Sequence, residues 1–201
     1  MLGDIEPRLL SRVVWRQTRP RSGLLDVSDP AVSDARYHRV GGDGAWYASF
    51  TERGAWAEMF RHWGLDEVSP FEVRRRVGRA RVADLAVLDL TDPVVRDALG
   101  IEDAELTGND WSDCQRLATD ARAAGFEGLL APSGALAGEV TLVVFAGAMH
   151  KVVAEHSRVQ RPPIRMLDVL SQIRLPDAAV DRVGQLYGAL VALGRRLRNR
   201  R

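Results

Sequence analysis

The chain has 201 residues and a mass of 22.2 kDa, which suits one domain with room for a small appendage. Its 28 basic and 27 acidic residues leave a net charge of +1, so composition gives no sign of nucleic-acid binding. A single cysteine excludes an intrachain disulfide and a multi-cysteine metal site, and no run approaches the roughly 18 apolar residues of a membrane span. The acid-containing N-terminus does not resemble a signal peptide, which predicts a cytoplasmic protein.

The first third of the chain predicts two strands, a long loop and a helix. Residues 12–17 form a short apolar run typical of a strand, and residues 45–50 alternate as a second strand does. Between them, residues 18–44 are rich in Pro, Gly, Ser and Asp, which predicts a loop long enough to be functional. Thr51 is placed to cap a helix that ends near residue 63.

The middle of the chain mixes strands and helices. Residues 71–77 and 81–90 carry β-branched and alternating apolar residues, which predicts two strands around a turn at Gly78. The segment 91–100 begins with a capping pattern, has proline in its first turn and ends at glycine, as a short helix does. Residues 111–124 predict a second helix, which the following glycine closes.

The last third begins with strands and ends with helices. Residues 128–132 and 139–147 are strongly apolar and predict strands, and residues 150–156 are compatible with a third. Further on, residues 166–174 and 176–197 predict two helices that look like an attachment to the preceding core. The pattern as a whole predicts an α+β fold.

Glu58 is the first candidate functional residue. Trp56, Met59 and Phe60 follow helical spacing and predict the buried stripe of the helix, and Glu58 lies off that stripe. The residues one turn before it are small, which leaves room for a ligand beside the carboxylate. Spacing alone leaves an alternative open, in which Glu58 is a solvated surface residue that pairs with Arg61.

Four further candidates are ambiguous when they are considered singly. Arg16 and Arg36 would suit a pyrophosphate if they converged, because guanidinium groups bind phosphate oxygens bidentately; each is otherwise a surface charge. Tyr47 points opposite its neighbour in the predicted strand and lies either in the core or in a cleft. Ser133 follows an apolar strand, where it is a turn residue or a presented hydroxyl, and its surroundings do not match a nucleophile elbow.

No metal or additional cofactor is expected. The four histidines are not spaced as zinc ligands, and the glycines at 41–44 lack the context of a phosphate-binding motif. The arginine-rich end of the chain after Gly194 could contact nucleic acid, but it is more typical of a solvated helix terminus.

Several motifs in the same order resemble the RES-domain family, a family of bacterial toxins named for arginine, glutamate and serine. They span roughly residues 12–155 and comprise "VVWR", "RYH", "WYAS", "AWAEMFRH", "VLDLTD", "DWSDCQRLATDARAAGFEGLLAPSGA" and "TLVVF". The resemblance implies an ADP-ribosyltransferase-like mixed β core with flanking helices at residues 1–160. The helical extension at residues 161–201 is assigned no role.

The resemblance also implies an activity. Family members destroy cellular NAD⁺ by cleaving the nicotinamide–ribose bond, by hydrolysis or by phosphorolysis, and a helix-turn-helix antitoxin typically holds them inactive. NAD⁺ is then the substrate, and the acceptor, water or phosphate, stays open. Two other functions also remain open: an ADP-ribosyltransferase that modifies a macromolecule, and a catalytically silent binding module. The sequence leaves open a homo-oligomer and predicts neither membrane association nor direct nucleic-acid binding.

Position by position, the resemblance implies roles for five residues. Arg16 and Arg36 would hold the pyrophosphate, and Tyr47 would flank the nicotinamide. Glu58 would stabilise the positive charge that develops on the ribose, and Ser133 would hydrogen-bond the ribose or the leaving group. Glu58, Arg36 and Ser133 are therefore the predicted catalytic residues. The "RYH" step departs from the Arg-Trp-Asn that is more common in the family, and "RVGGDG" stands where a glycine-proline loop usually follows.

Overall fold

A computed structural model describes residues 2–63 and 73–174 of the chain. Six strands form one sheet, and five of them close into a ring, because β1 (Arg8–Thr18) pairs with both β2 (Ala45–Ser49) and β3 (Arg75–Asp89). The ring continues through β5 (Val140–Phe145) and β4 (Gly128–Pro132), so that the sheet is barrel-like. Among these six described strands, β3 and β4 pair in parallel and the other pairs are antiparallel. The sixth strand, β6 (Val152–Gln160), extends β3 at the outer edge.

Helices cover the outside of this sheet. They are α1 (Glu52–Trp63), α2 (Pro93–Leu99), α3 (Asp103–Thr107), α4 (Ser112–Ala123) and α5 (Leu167–Leu170), with 3₁₀ turns at Leu2–Asp4, Ala146–Lys151 and Ile164–Met166. The predicted combination of helices with a mixed sheet is confirmed. Among residues 2–63 and 73–174, no helix is long and apolar enough to cross a membrane.

Most of the predicted elements are confirmed, and their local signals act as expected. Asp92 caps α2 by accepting a hydrogen bond from the Val94 amide at 2.9 Å, and Gly100 ends that helix in the left-handed conformation, with φ of 62°. Of the loop predicted at 18–44, residues 19–44 are a loop with one isolated β-bridge between Ala35 and His38, whereas Thr18 is the last residue of β1. The short helix α3 was not predicted.

The turn predicted at Gly78 is wrong, because β3 runs through it without interruption. Gly78 lies opposite Arg16 of β1 and Ser157 of β6, in the middle of three paired strands. A β-carbon at this position would lie only 2.3 Å from the carbonyl oxygen of His156. Glycine is therefore needed for the close approach of a neighbouring strand and does not reverse the chain. The start of the strand predicted at 71–77 lies outside the described residues.

The long helix predicted at 166–174 is also wrong. Only Leu167–Leu170 are α-helical, and Ile173 then forms a β-bridge with Leu136. This segment packs against α1, since Met166 and Val169 share a buried cluster with Trp56. Apolar spacing over so few residues fits a packed turn as well as it fits a helix. The helix predicted at 176–197 lies outside the described residues, and the division of the chain at residue 160 stays a prediction.

The barrel-like sheet has its own core, distinct from the packing beneath the helices. Alternate residues of β1 to β5 meet inside the ring, with Trp46 fully buried and its indole nitrogen donating to the carbonyl of Leu24 at 2.9 Å. Tyr47 consequently points out of the ring, as strand alternation requires. Its ring packs against the cluster under α3 and α4, and the residue lines a cavity.

Candidate active site

Helix α1 presents Glu58 to the cavity. The helix begins with a cap, in which the amide of Gly54 donates to the Thr51 hydroxyl oxygen at 2.9 Å. Its apolar stripe is buried, and Trp56 stacks on Phe60 with ring centroids 6.1 Å apart. Burial of that stripe fixes the rotation of the helix, so that Glu58 is only half-buried and borders open space.

Two hydroxyl groups hold the Glu58 carboxylate. Its Oε1 accepts a hydrogen bond from Ser133 Oγ at 2.8 Å and a longer one from Thr141 Oγ1 at 3.3 Å. Ser133 is buried, and its oxygen accepts the amides of Ala135 at 3.1 Å and Leu136 at 3.2 Å. Because both amides occupy the acceptor side of this hydroxyl, its proton is directed at Glu58. Glu58 is therefore not an exposed residue paired with basic neighbours, because it is half-buried and bound by two hydroxyl groups.

Arg36 reaches the same region from the long loop. Its Nη1 donates to the carbonyl oxygens of Leu106 at 2.9 Å and Gly108 at 2.8 Å, so the turn after α3 anchors the guanidinium group. The other side of the group lies directly over Gly134, where a β-carbon would come within 2.7 Å of Nη2. Arg36 is therefore held next to the serine turn that supports Glu58.

Arg16 is more deeply buried than a surface charge would be. Its side chain donates to the carbonyl oxygens of Tyr47 at 3.2 Å and Asp26 at 2.7 Å, which ties β2 to the long loop. Nε is buried and has no hydrogen-bond partner within residues 2–63 and 73–174. Burial lowers the pKa of Arg16 to about 10, so the group still carries its charge near neutral pH.

Tyr47 is held by its hydroxyl. The oxygen accepts the amide of Tyr37 at 3.2 Å and lies 2.9 Å from Nδ1 of His38. Burial raises the pKa of the Tyr47 phenol well above its usual value, so the hydroxyl stays protonated. The position of the ring at the cavity wall is therefore fixed.

The structure brings four of the five predicted residues to the wall of one cavity of about 760 Å³, within the range of small-molecule sites. Arg16, Arg36, Tyr47 and Glu58 line it directly, whereas Ser133 lies behind Glu58 and acts on it by hydrogen bonding. The lining carries five arginines and four carboxylates, namely Arg16, Arg19, Arg36, Arg61, Arg75, Asp26, Asp29, Asp34 and Glu58. The roles assigned to the five residues stay predictions.

Thr141 and Arg61 are among the polar residues of the site that were not predicted as members of it. Thr141 in β5 donates to Glu58, and Arg61, one turn after Glu58 on α1, lines the same cavity. The spacing of Glu58 and Arg61, three residues apart on a helix, does indicate a shared face. Nothing in the local sequence connects β5 with α1. In the described part of the chain, no group of three histidine, cysteine, aspartate or glutamate side chains could hold a metal ion.

Comparisons with known proteins agree with this geometry. The RES domain family model matches residues 7–167, and the chain belongs to that family. A probable NAD(+) phosphorylase of Mycobacterium tuberculosis is 44% identical over 187 residues, which cover 93% of this chain and 90% of that protein. The NAD(+) phosphorylase MbcT of Mycobacterium bovis is 44% identical over 75 residues, 37% of this chain and 39% of MbcT.

A solved structure is also similar. A chain of the crystal structure of the M. tuberculosis MbcT-MbcA toxin-antitoxin complex superposes with a TM-score of 0.73 at 25% sequence identity. The match covers 84% of this chain and 93% of that chain.

Proposed function

We propose that this RES-domain protein degrades NAD⁺ by transferring its ADP-ribosyl group from nicotinamide to inorganic phosphate. One observation carries the proposal: a carboxylate held by a buried serine shares a cavity with two anchored arginines and a fixed tyrosine. Two relatives are named NAD(+) phosphorylases, which favours phosphate over water as the acceptor.

The chemistry follows from the substrate. NAD⁺ carries an anionic pyrophosphate, a cationic nicotinamide ring, and between them a ribose whose C1″–N bond must break. As that bond lengthens, positive charge develops on the ribose, and the Glu58 carboxylate stabilises it in an oxocarbenium-like transition state. The bonding electrons leave with nicotinamide, which becomes neutral. A phosphate oxygen then forms the new bond to C1″, giving ADP-ribose 1″-phosphate.

The remaining residues would bind and orient the substrate. Arg36 has Nη1 committed to two carbonyl oxygens and lines the cavity, where its charge would attract an anionic part of the substrate. Arg16 commits two of its nitrogens to the main chain and contributes mainly a fixed positive charge. Tyr47 offers a ring face to the nicotinamide, and Ser133 keeps Glu58 in place.

The finer fold assignment and the partner are part of the same proposal. We infer that the barrel-like sheet is an ADP-ribosyltransferase-like core, since its cavity lies where α1 and the long loop meet the strands. The similar solved structure is of a toxin-antitoxin complex, and we infer that the chain acts as a toxin in the cytoplasm, neutralised by a helix-turn-helix antitoxin.

The decisive experiment measures NAD⁺ loss with purified protein, with and without inorganic phosphate, and follows the products by phosphorus NMR. We expect ADP-ribose 1″-phosphate and free nicotinamide only when phosphate is present. ADP-ribose without phosphate would identify a glycohydrolase. Label appearing on protein or nucleic acid would identify a transferase. Intact NAD⁺ at micromolar protein in both conditions would refute the proposal in favour of a binding module.

A further inference from the structure

Arg61 is one of three arginines lining the cavity, with Arg19 and Arg75, that the proposed chemistry does not use. It lies one helical turn after Glu58 on α1, is only 6% exposed, and lines the cavity. Its Nη2 donates to Oδ1 of Asn109 at 2.7 Å. A buried guanidinium group of this kind has an orientation set by the protein, unlike that of a surface arginine.

Arg36 and Arg61 are anchored on the same short segment. Arg36 donates to the carbonyl oxygens of Leu106 and Gly108, and Arg61 donates to the side chain of the next residue, Asn109. Two guanidinium groups are thereby held close together at one end of the cavity. Burial lowers the pKa of Arg61, and the positive charge of Arg36 lowers it further, although Glu58 partly offsets both effects.

Arg61 uses few of its hydrogen-bond donors within the part of the chain that the structure describes. A guanidinium group has five N–H donors, and within residues 2–63 and 73–174 Asn109 accepts the single side-chain hydrogen bond that Arg61 makes. Because Arg61 lines the cavity, a ligand bound there could accept hydrogen bonds from its remaining donors. Arg36 and Arg61, whose charges Glu58 offsets only in part, favour a further anion in the cavity.

We propose that Arg61, next to Arg36, binds the acceptor phosphate of the reaction. The inference rests on the proposed function, because it places the second substrate in the same cavity. A dianionic phosphate there would offset the repulsion between the two guanidinium groups and could accept bidentate hydrogen bonds. The position near Glu58 also suits attack, since the carboxylate would lie beside C1″ while a phosphate oxygen forms its bond there and nicotinamide leaves with the electron pair.

The test replaces Arg61 and measures the two substrates separately. We compare R61Q with the matched variant R53Q, which removes an arginine from the same helix where it contacts Asp168 and Gln172 instead of the cavity. Initial rates are measured against phosphate at saturating NAD⁺, and against NAD⁺ at saturating phosphate. For R61Q we expect KM for phosphate to rise at least tenfold and KM for NAD⁺ to stay within about twofold; R53Q should match the wild type.

An unchanged KM for phosphate in R61Q, or an equal rise for both substrates, overturns the assignment. If R61Q does not fold, R61K serves instead, because it keeps the charge and loses the forked geometry; its KM for phosphate should rise by a smaller factor. Calorimetric titration of the NAD⁺-free protein with inorganic phosphate tests the phosphate site at Arg61 separately from the proposed NAD⁺-degrading function. Phosphate binding that depends on Arg61, without NAD⁺ turnover, would refute the proposed function and keep the anion site. NAD⁺ turnover with an unaltered KM for phosphate in R61Q would keep the proposed function and refute the phosphate site at Arg61.

Discussion

Replacement of Glu58 by glutamine is the sharpest test of the catalytic assignment. The amide keeps the size of the side chain and an oxygen that can still accept the Ser133 hydroxyl, so the helix and its cap should be undisturbed. What disappears is the negative charge beside the developing oxocarbenium ion. Two unit charges about 4 Å apart interact by about 4 kcal/mol at an effective dielectric constant of about 20.

That energy sets the size of the expected effect. Only the part realised in the transition state lowers the barrier, and each 1.36 kcal/mol corresponds to a factor of about ten in rate. We therefore expect kcat for E58Q to fall roughly 10²- to 10³-fold while KM for NAD⁺ changes by less than about threefold. Nicotinamide release, measured by chromatography at saturating substrates, gives kcat directly.

A matched control makes the result interpretable. Glu52 begins the same helix and pairs with Arg165 at 2.7 Å, away from the cavity, so E52Q makes the same chemical change without touching the site. E52Q should retain wild-type kcat. If E58Q also retained more than about a third of wild-type kcat, the carboxylate would have no electrostatic role in the reaction, and the mechanism would be wrong.

Three further predictions follow from individual contacts. S133A should lower kcat about tenfold and the free energy of unfolding by about 1–3 kcal/mol, because the carboxylate loses a donor and two buried amides lose their acceptor; rate assays and denaturant titration measure the two effects. G134A should raise KM for NAD⁺ about tenfold with little loss in thermal stability, because its methyl group displaces the flexible end of Arg36 and no backbone. Burial would raise the pKa of Asp89, but hydrogen bonds from a threonine and an arginine outweigh burial and lower this pKa. The ionised Asp89 carboxylate therefore stabilises the folded protein above the unfolded pKa of about 3.9, and this stabilisation is lost as the pH falls below that value. Denaturant titrations between pH 5 and 3 should therefore show a steeper loss of stability for the wild type than for D89N.

Local sequence signals determine much of the fold, because caps, glycines and apolar alternation act over a few residues. They give α1, α2 and α4 and most of the strands. They fail at Gly78, because a glycine between apolar runs predicts a turn. Glycine is needed there for a different reason: a β-carbon would lie 2.3 Å from a carbonyl oxygen of the neighbouring strand. Such an approach depends on pairing with β6, almost 80 residues later, which no local pattern contains.

The candidate active site depends even more on contacts between residues that are far apart in the sequence. The position of Glu58 off the apolar stripe is a local property and could be predicted from spacing. Its contacts with Ser133 and Thr141 join residues 75 and 83 positions apart, so only the order of family motifs pointed to the serine, and nothing pointed to the threonine. Arg61 was noticed only as a surface partner of Glu58, because spacing shows that two residues share a face but not what that face borders.

The net charge of +1 illustrates why composition could not reveal this site. Electrostatic interactions at physiological ionic strength decay over about 8 Å, so a ligand responds to the charges around its own cavity and not to the total. At the end of the cavity near residues 106–109, Arg36 and Arg61 are held together by backbone and side-chain acceptors that are themselves uncharged. Carbonyl and amide oxygens orient these guanidinium groups without neutralising them, and Glu58 offsets their charge only in part. An anion-binding site can therefore exist in a chain whose acids and bases almost cancel.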